Sequence, residues 1–302
     1  MPAKPLPAKP LPMVGAVVLT MNDRPVEFPR AMDSLLAQHG VDLRVIVVGN
    51  GCVPEGVPAS ARVRAVALPE NLGIPGGRNV GARHPHLAGV DHLFFFDNDA
   101  VLPTTDVLSR LANELRQRPH VAYVQPRIAD PDTNVTLRRW VPRLRAGDPE
   151  RGGTVTVMAE GVVMIRRDAF VEAGGWPDAF HLFHEGVDLS WRLWDHGGTG
   201  LYLPHVVVNH PATDPARHET FYRLSARNRV LVARRNLPAP LIPLNLATWC
   251  ALTLYRVRDR AALRTSWNGF LEGLRSTNHG ERHPMSWHTV TRLTLAGRPP
   301  IL

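Results

Sequence analysis

The stretch HLFFFDND, residues 92–99, contains the pattern that decides the fold of this chain. Five residues, apolar apart from the first, predict a buried strand, and Asp97-Asn98-Asp99 follows directly where that strand ends. Alternate residues leaving a strand can hold one carboxylate toward a ribose and another toward a hard divalent cation that bridges two phosphates. Ligands of open α/β sheets bind at the carboxyl ends of strands, so this position favours a ligand site over the alternative, a plain surface turn.

Three apolar, β-branched segments precede this strand and predict its neighbours in the sheet. They cover residues 14–20, 45–48 and 63–68, and turn residues such as Asn22-Asp23 follow each of them. A helical pattern lies between the first two segments. This order of elements predicts an α/β fold with an open, mostly parallel sheet flanked by helices.

A glycine-rich segment at residues 71–81 follows the third of these strands. Its glycines surround Arg78 and Asn79. The pattern indicates a loop that enters a helix whose first turn a ligand can approach closely. A glycine-rich connection without a ligand is the alternative. Farther along, residues 121–124 predict another strand, and residues 130–153 predict a loop with an irregular hairpin.

A second group of polar residues, HEGVDLSWRLW, begins at His184. At helical spacing Glu185, Asp188 and Arg192 share one face and the aromatic residues another, so we expect one face to pack inward and the other to line a cleft. A carboxylate in that cleft could accept the proton of an acceptor hydroxyl. The structural alternative is that Glu185 only begins the helix and that Asp188 forms an ion pair with Arg192. For Asp188, but not for Glu185, we favour this structural role.

His210 follows a short apolar segment, and a basic segment comes after it. An imidazole can complete the coordination of a metal whose other ligands are a carboxylate and phosphates. Arg223 and Arg227 could meet a pyrophosphate, because guanidinium groups match phosphate oxygens. Arg217 and His218 belong to the same basic segment. A solvated basic helix face is the alternative.

The composition limits the class of protein. The 302 residues, 44% of them hydrophobic, suffice for a large α/β domain with an appendage and exclude a disulfide mini-protein, a fibrous repeat or a disordered chain. Cys52 and Cys250 lie far apart and outside any metal-ligand pattern, which favours a cytoplasmic location. The net charge of +8 favours phosphate-bearing partners or an anionic membrane, and no nucleic-acid motif is present.

The order of these motifs resembles that of the family 2 glycosyltransferases, inverting enzymes with the GT-A fold that move a sugar from a nucleotide diphosphate to an acceptor hydroxyl. Residues 17–20 are similar to the opening strand of that family, and residues 47–52 to its second strand and turn. Residues 71–81 resemble its Asn-x-Gly and Gly-Gly-x-Asn-x-Gly signature. Asp97-Asn98-Asp99 lies where the metal and nucleotide motif is expected, and the match covers roughly residues 14–236.

The resemblance implies a role for individual residues. Asp99 and His210 would hold a divalent metal, Mg²⁺ or Mn²⁺, and Glu185 or Asp188 would be the catalytic base. The nucleotide-sugar would be bound by Thr20, Asn22, Asn50, Asn71, Gly73, Gly77, Arg78, Asn79, Asp97, Asn98, Arg223 and Arg227.

Two departures from the family pattern affect these assignments. Gly49 stands where members usually have an acidic residue, often one touching uracil, so the donor base stays open. Glu185-Gly186 stands where many members have Glu-Asp at the position of the catalytic base. Glu185 is therefore the first choice for the base and Asp188 the second, because only they offer a carboxylate near that helix start.

We predict three parts of the chain: a disordered, proline-rich leader at residues 1–12, the GT-A domain at residues 13–236, and a C-terminal helical extension at residues 237–302. Prolines interrupt the longest uncharged stretch, so no transmembrane helix is expected. The extension carries aromatic and apolar residues followed by arginines, as in a helix that lies on an anionic bilayer, and plain packing on the main domain is the alternative.

The expected function is metal-dependent, inverting sugar transfer to an acceptor hydroxyl, which could belong to a cell-envelope glycan, a lipid-linked intermediate or a soluble small molecule. The expected location is cytoplasmic, with peripheral contact to the inner face of the membrane. A catalytically impaired nucleotide-sugar-binding homologue is the alternative, supported by Gly186. A sugar-nucleotide-forming nucleotidyltransferase would need a glycine-rich basic loop after the first strand, and residues 20–23 offer none.

Overall fold

The computed structural model describes residues 10–144, 147–212, 214 and 220–302. Most of the expected leader, residues 1–9, lies outside the described residues. Arg217 and His218 of the basic segment lie outside them as well. The proposed boundaries of the three parts of the chain stay predictions.

Eight strands form one sheet within the described part of the chain, in the order β3-β2-β1-β4-β7-β5-β8-β6. Pairing is parallel from β3 through β2 and β1 to β4 and between β5 and β8, whereas β7 runs antiparallel between β4 and β5, and β6 antiparallel to β8. The predicted α/β fold with a mostly parallel sheet is therefore confirmed. The strands are β1 (Met13–Thr20), β2 (Asp42–Gly49), β3 (Val63–Ala67), β4 (His92–Phe96), β5 (Val121–Ala129), β6 (Gly153–Val155), β7 (Val162–Arg166) and β8 (Thr199–Asn209).

Strand β4 separates two hydrophobic cores, one on each face of the sheet. Phe94 and Phe96 point into one core, and Leu93 and Phe95 point into the other, because successive side chains of a strand face opposite ways. A strand buried on both faces is expected to be apolar throughout, which explains the FFF run in the sequence. The Asp97-Asn98-Asp99 turn thus follows a strand that is buried along its whole length.

Helices cover both faces of the sheet. Helices α1 and α3 pack on the core that contains Phe94, whereas α2, α4, α5 and α6 pack on the core that contains Phe95. The helices of the described residues are α1 (Glu27–Leu36), α2 (Gly73–Arg83), α3 (Val107–Gln117), α4 (Arg167–Glu172), α5 (Glu185–Asp195), α6 (Phe221–Asn236), α7 (Leu241–Arg256), α8 (Arg260–Arg275) and α9 (Trp287–Leu295).

The glycine-rich segment begins helix α2 at Gly73, and its later glycines serve packing. A Cβ atom at Gly81 would lie 2.5 Å from Val17 Cγ1, and one at Gly77 would lie 3.0 Å from Leu19 Cδ2. Both contacts are closer than side-chain atoms tolerate, so the glycines let α2 lie directly on β1. Gly77 therefore faces the sheet, whereas the sequence suggested that it contacts the nucleotide-sugar.

The C-terminal helices pack on the rest of the chain. Helix α8 lies along α6, where a Cβ atom at Gly269 would come within 2.1 Å of the Arg223 carbonyl oxygen. Met285 and Leu293 are buried in the same core as Phe95. Among the described residues, no helix is both long enough and apolar enough to cross a bilayer. The aromatic and arginine residues of the extension are divided between two helices and the connection that contains Arg258, because α7 ends at Arg256 and α8 begins four residues later.

Candidate active site

A cavity of about 320 Å³, the strand-end cavity, opens where β1, β2 and β4 end. Because these strands are parallel neighbours, the residues that follow each of them meet at one edge of the sheet. Asp23 and Arg24 complete its polar rim. The structure brings these predicted site residues to its wall: Thr20, Asn50, Asn71, Gly73, Asp97, Asn98, Asp99 and His210.

Two asparagines brace the start of α2 beside the strand-end cavity. Asn50 Nδ2 donates to Asn71 Oδ1 at 2.9 Å, and Asn50 Oδ1 accepts the backbone N–H of Leu72 at 2.9 Å. Asn71 Oδ1 also accepts the N–H of Gly73 at 2.8 Å. These side chains therefore fix the backbone that forms one wall of the cavity.

Asp97, Asp99 and His210 form a cluster in which one ligand atom from each residue lies within 4.8 Å of the others. His210 Nε2 is 3.4 Å from Asp97 Oδ2 and 3.2 Å from Asp99 Oδ1. Burial alone would lower the pKa of His210, but the contacts with both carboxylates outweigh it and raise this pKa to about 10. The pKa of Asp99 is lowered, because His210 and Arg24 outweigh its burial. Two carboxylates and an imidazole suit Mg²⁺ or Mn²⁺.

An isolated pair of backbone hydrogen bonds, outside the regular strands, brings His210 to this cluster. Strand β8, which His210 follows, lies three positions from β4 in the sheet. Val101, just beyond the Asp97-Asn98-Asp99 turn, exchanges backbone hydrogen bonds of 2.8 and 2.9 Å with Asn209. This bridge places the imidazole beside Asp99, although the two residues lie far apart along the chain.

Arg78 lies beneath the cluster and fixes Asp97. The guanidinium is only 3% exposed, donates to Asp97 Oδ1 at 2.8 Å, and lies over the rings of Phe95 and Trp176. A charge-assisted hydrogen bond of this length orients the carboxylate. In this structure Arg78 acts through Asp97, whereas the sequence suggested direct contact with the nucleotide-sugar.

Two further residues predicted to bind the nucleotide-sugar hold the framework behind the cavity. Asn22 donates to the Val53 carbonyl oxygen at 2.9 Å and accepts the N–H of Glu55 at 3.0 Å. Asn79 is 1% exposed and forms reciprocal hydrogen bonds of 2.8 and 2.9 Å with the backbone of Trp176. Their amides are thus engaged in backbone contacts rather than turned toward the cavity.

Arg223 and Arg227 are paired with a carboxylate of the C-terminal extension. Arg223 Nη1 lies 2.9 Å from Glu272 Oε2, and Arg227 Nε lies 3.2 Å from Glu272 Oε1. These ion pairs join α6 to α8. In the structure both arginines are paired with this carboxylate, whereas the sequence suggested contact with a pyrophosphate, and the Arg223 side chain stays 46% exposed.

A larger cavity of about 550 Å³, the arginine cavity, adjoins the strand-end cavity and shares Asp97 and His210 with it. Trp140 contributes an aromatic wall and stands edge-on to the His210 ring, with 5.6 Å between the ring centroids. Glu160 lines the cavity near Asp97. Six arginines also line it: Arg138, Arg139, Arg143, Arg229, Arg256 and Arg298.

Glu160 occupies the space that a side chain at position 186 would fill. Its Oε1 accepts the backbone N–H of Gly186 at 2.9 Å, and a Cβ atom at Gly186 would lie 2.6 Å from Glu160 Cγ. Burial raises the pKa of Glu160, and the neighbouring Asp97 carboxylate raises it further. The carboxylate missing at position 186 is therefore replaced in space by one from the segment that precedes β7.

Glu185 lies behind Glu160 and is only 2% exposed. Burial and the Glu160 carboxylate raise the pKa of Glu185 to about 8. Its Oε2 is buried without a hydrogen-bond partner in the described part of the chain. Two adjacent carboxyl groups in a buried site cannot both ionise cheaply, so they tend to share a proton.

The loop that delivers Glu185 is held in an unusual backbone conformation. His181, Phe183 and His184 all have positive φ angles, between 64° and 71°, a region that costs energy for residues with side chains. Asn228 Nδ2, fully buried on α6, lies 2.7 to 3.0 Å from three carbonyl oxygens of this loop. Helix α6 thereby fixes the start of α5.

Asp188 is completely buried on the inner face of α5. Its Oδ2 accepts from Arg192 Nη2 at 2.6 Å, while Oδ1 lies 3.0 Å from Arg235 Nε and accepts from Asn236 at 2.7 Å. These partners outweigh burial and lower the pKa of Asp188. The face with Asp188 and Arg192 therefore packs inward, and Val187 of the other face lines the arginine cavity. This matches the ion pair favoured for Asp188.

Asp188→Ala is expected to destabilise the fold by about 3–5 kcal/mol, because it leaves the buried guanidinium groups of Arg192 and Arg235 without their carboxylate. Urea unfolding followed by circular dichroism measures the loss. Asp33→Ala, on an exposed part of α1, is the comparison. Equal stability of Asp188→Ala and the wild type would contradict the structural role.

Glu185→Gln is expected to stabilise the protein, and more so at pH 8 than at pH 5. The folded chain keeps the Glu185 proton up to about pH 8, whereas a free glutamate loses it near 4.5. The wild type therefore loses stability as the pH rises between these values, and a neutral amide removes that cost. Urea unfolding at both pH values measures the effect, and a gain equal at both would contradict it.

Sequence reasoning missed Glu160 and the arginines of the arginine cavity. The antiparallel pairing of β7 with β4 sets Val162 opposite Phe96 and brings Glu160 beside Asp97. The available signal was an acidic residue just before an apolar segment. That segment alone does not indicate whether β7 runs parallel or antiparallel to β4. Arg229 belonged to the basic segment already noted, where spacing alone could not separate it from Arg227.

Residues 16–174, more than half of the chain, match the family model described as Glycosyl transferase family 2. Among curated proteins of Mycobacterium tuberculosis, the Pre-mycofactocin glycosyltransferase is 30% identical over 220 residues, which cover 66% of this chain and 45% of that protein. The N-acetylglucosaminyl-diphospho-decaprenol L-rhamnosyltransferase is 24% identical over 250 residues, covering 68% of this chain and 80% of that protein. The chain thus spans less than half the length of the first relative.

Solved structures with the same fold include two enzymes crystallised with Mn²⁺. GalNAc-T7 with UDP, GalNAc and Mn²⁺ matches with a TM-score of 0.61 at 14% identity, covering 88% of this chain and 56% of that chain. The mannosyltransferase PcManGT from Pyrobaculum calidifontis, with GDP-Man and Mn²⁺, matches with a TM-score of 0.57 at 18% identity, covering 97% and 82%. At these identities the likeness concerns the fold.

Proposed function

The chain belongs to glycosyl transferase family 2, and from this premise we propose that it transfers a glycosyl group from a nucleotide diphosphate-sugar to an acceptor hydroxyl with inversion at the anomeric carbon. The observation that carries the proposal is the position of the Asp97, Asp99 and His210 cluster. It lies beside the strand-end cavity, and two of its members also line the arginine cavity. A glycosyl group that moves from the strand-end cavity to the arginine cavity would therefore pass this cluster.

The strand-end cavity is the proposed donor site. Its backbone wall at Gly73, braced by Asn50 and Asn71, offers polar groups to the nucleoside, and Asp97 is held in place by Arg78. Asp99 and His210, with Asp97, would hold Mg²⁺ or Mn²⁺, which when bound neutralises charge on the departing diphosphate. The Mn²⁺ in the two solved structures of the same fold supports this assignment.

Glu160, with Glu185 behind it, is the proposed general base. Glu160 faces the arginine cavity next to Asp97, within reach of an acceptor seated there. Its carboxylate takes the acceptor O–H proton as the oxygen attacks the anomeric carbon, and the C1–O bond to the diphosphate breaks with its electron pair on the diphosphate. Burial and the neighbouring Asp97 carboxylate raise the pKa of Glu160, which makes it a stronger base than a solvated carboxylate.

The acceptor enters through the arginine cavity in this proposal. Candidate acceptors are a cell-envelope glycan, a lipid-linked intermediate or a soluble small molecule. The relative named for a diphospho-decaprenol acceptor supports the lipid-linked intermediate. We propose a cytoplasmic enzyme that contacts the inner face of an anionic membrane peripherally. Arg258, Arg260 and Arg264, exposed near Leu254 and Tyr255, support that contact.

A screen of UDP-, GDP- and dTDP-sugars tests the proposal, with Mn²⁺, Mg²⁺ or chelator present. One nucleotide is expected to raise the melting temperature only with metal, and its sugar is expected to be released to water or to an acceptor. The configuration of the product, measured by NMR, is expected to be inverted. Retention of configuration, or turnover unaffected by chelator, would contradict the mechanism.

A nucleotide-sugar-binding homologue without activity is the second candidate, because Gly186 removes the carboxylate found in many family members. Metal-dependent nucleotide binding with no turnover of any donor would favour it. The position of Glu160 against Gly186 supports the active enzyme instead.

A further inference from the structure

A third cavity of about 370 Å³, the helical cavity, lies among α6, α7 and α8. Its walls are mostly apolar and include Leu246, Leu263 and Phe270 together with Trp249 and Trp267. Cavities of this size and character are typical of sites for apolar ligands. Nothing in the proposed sugar transfer itself uses this space.

The helical cavity and the arginine cavity share a wall made by Arg229 and Trp249. The Arg229 guanidinium lies over the Trp249 ring, with 4.1 Å from Cζ to the ring centroid. Its Nε is buried without a hydrogen-bond partner among the described residues. The donor site, the arginine cavity and the helical cavity therefore form one continuous row.

The charges along this row are separated. The acidic residues of the arginine cavity, Asp97 and Glu160, lie toward the donor site, and the six arginines are its other charged lining residues apart from the histidines. Burial and the neighbouring Arg256 lower the pKa of Arg229 to about 10, and burial and Arg138 lower that of Arg298. Like charges gathered in a partly buried space create a strong positive potential that an anion would relieve.

Resting on the proposed function, we propose that the acceptor hydroxyl is carried by a lipid phosphate or diphosphate whose phosphate lies against Arg229 in the arginine cavity and whose hydrocarbon chain fills the helical cavity. Guanidinium groups bind phosphate oxygens in pairs, and Trp249 and Leu263 offer the chain an apolar wall. A free phosphate would leave the helical cavity unfilled. A neutral lipid would leave the buried Nε of Arg229 without an anion to bind.

The surface around the helical cavity fits a ligand whose chain continues outward. Leu254 and Trp267 line the cavity and are 68% and 55% exposed. Tyr255 beside them is 72% exposed, and Arg258 and Arg260 follow. Apolar and aromatic side chains next to arginines are the composition of surfaces that rest on anionic bilayers. A chain longer than the cavity would thus pass directly into the membrane.

The test is titration of the full chain with farnesyl phosphate, farnesol and inorganic diphosphate, followed by calorimetry. Farnesyl phosphate is expected to bind at least about 10-fold more tightly than either of the others. Arg229→Gln is expected to weaken farnesyl phosphate binding about 10-fold and to leave farnesol binding unchanged, while Arg30→Gln, on an exposed part of α1, leaves both unchanged.

A matched pair of tryptophans tests the hydrocarbon site. Trp267 lines the helical cavity, whereas Trp287 is as exposed, at 57%, but lies on α9. Trp267→Asp is expected to weaken farnesyl phosphate binding at least about 10-fold, and Trp287→Asp is expected to leave it unchanged, with circular dichroism showing that both variants fold.

Three results would overturn the inference: equal affinity for farnesol and farnesyl phosphate, diphosphate binding as tight as that of farnesyl phosphate, or equal losses in the two tryptophan variants. Nucleotide binding with Mn²⁺, measured on the same samples, separates this inference from the proposed function. Farnesyl phosphate binding without any nucleotide binding would refute the function alone. Nucleotide turnover without farnesyl phosphate binding would refute the lipid site alone.

Discussion

Glu160→Gln is expected to lower kcat for sugar transfer about 10²- to 10⁴-fold and to leave the affinity for the nucleotide-sugar unchanged. The amide keeps the size of the side chain but cannot accept the acceptor proton. Glu160 lines the arginine cavity next to Asp97, so the loss should appear in the chemical step rather than in donor binding. Steady-state rates of transfer, and of donor hydrolysis with water as acceptor, measure kcat, and calorimetry measures donor affinity.

Glu172→Gln, on an exposed part of α4, is the control and should leave all these values unchanged. Full activity of Glu160→Gln would assign the proton transfer to another group.

Asp99→Asn is expected to reduce the metal-dependent affinity for the nucleotide at least about 100-fold. The substitution removes one of the two negative charges that face His210, whose Nε2 lies 3.2 Å from Asp99 Oδ1. A neutral amide is a weaker ligand for a hard cation than a carboxylate. Nucleotide binding measured by calorimetry across a Mn²⁺ titration, with chelator as the baseline, gives the change.

Asp42→Asn, an exposed carboxylate at the start of β2, is the control for Asp99→Asn. It sits at the opposite end of the sheet from the cluster and should leave the metal dependence intact. If Asp99→Asn kept the same response to Mn²⁺ as the wild type, the metal would have to be held elsewhere, and the assignment of the cluster would be wrong.

Local patterns predicted the elements that carry most of the donor site. The run HLFFF became β4, and the Asp97-Asn98-Asp99 turn lies at its carboxyl end, because a strand buried on both faces must be apolar and its end must be polar. Thr20 and Asn50 lie at the carboxyl ends of neighbouring parallel strands. The order of strands and helices therefore already predicted that these residues lie close to Asp97. These predictions needed only contacts within segments and between adjacent strands.

The same local patterns did not separate ligand-facing residues from framework residues. Arg78 and Asn79 stand in one glycine-rich motif with Gly73, yet only Gly73 lines the strand-end cavity. Arg227 and Arg229 stand two positions apart on α6, where one pairs with Glu272 and the other enters the arginine cavity. Helical periodicity places such residues on different faces but cannot say which face another helix covers.

Local patterns in the sequence predicted the α/β class, the buried strand β4 with its acidic turn, the candidate metal ligands Asp99 and His210, and the ion pair of Asp188. The folded chain alone shows that Glu160 fills the space beside Gly186 and that Glu272 of α8 pairs with Arg223. The difference follows from the range of the interactions. Burial and turn chemistry act between near neighbours in the chain, whereas the direction of β7 and the docking of α8 depend on packing between segments remote in sequence.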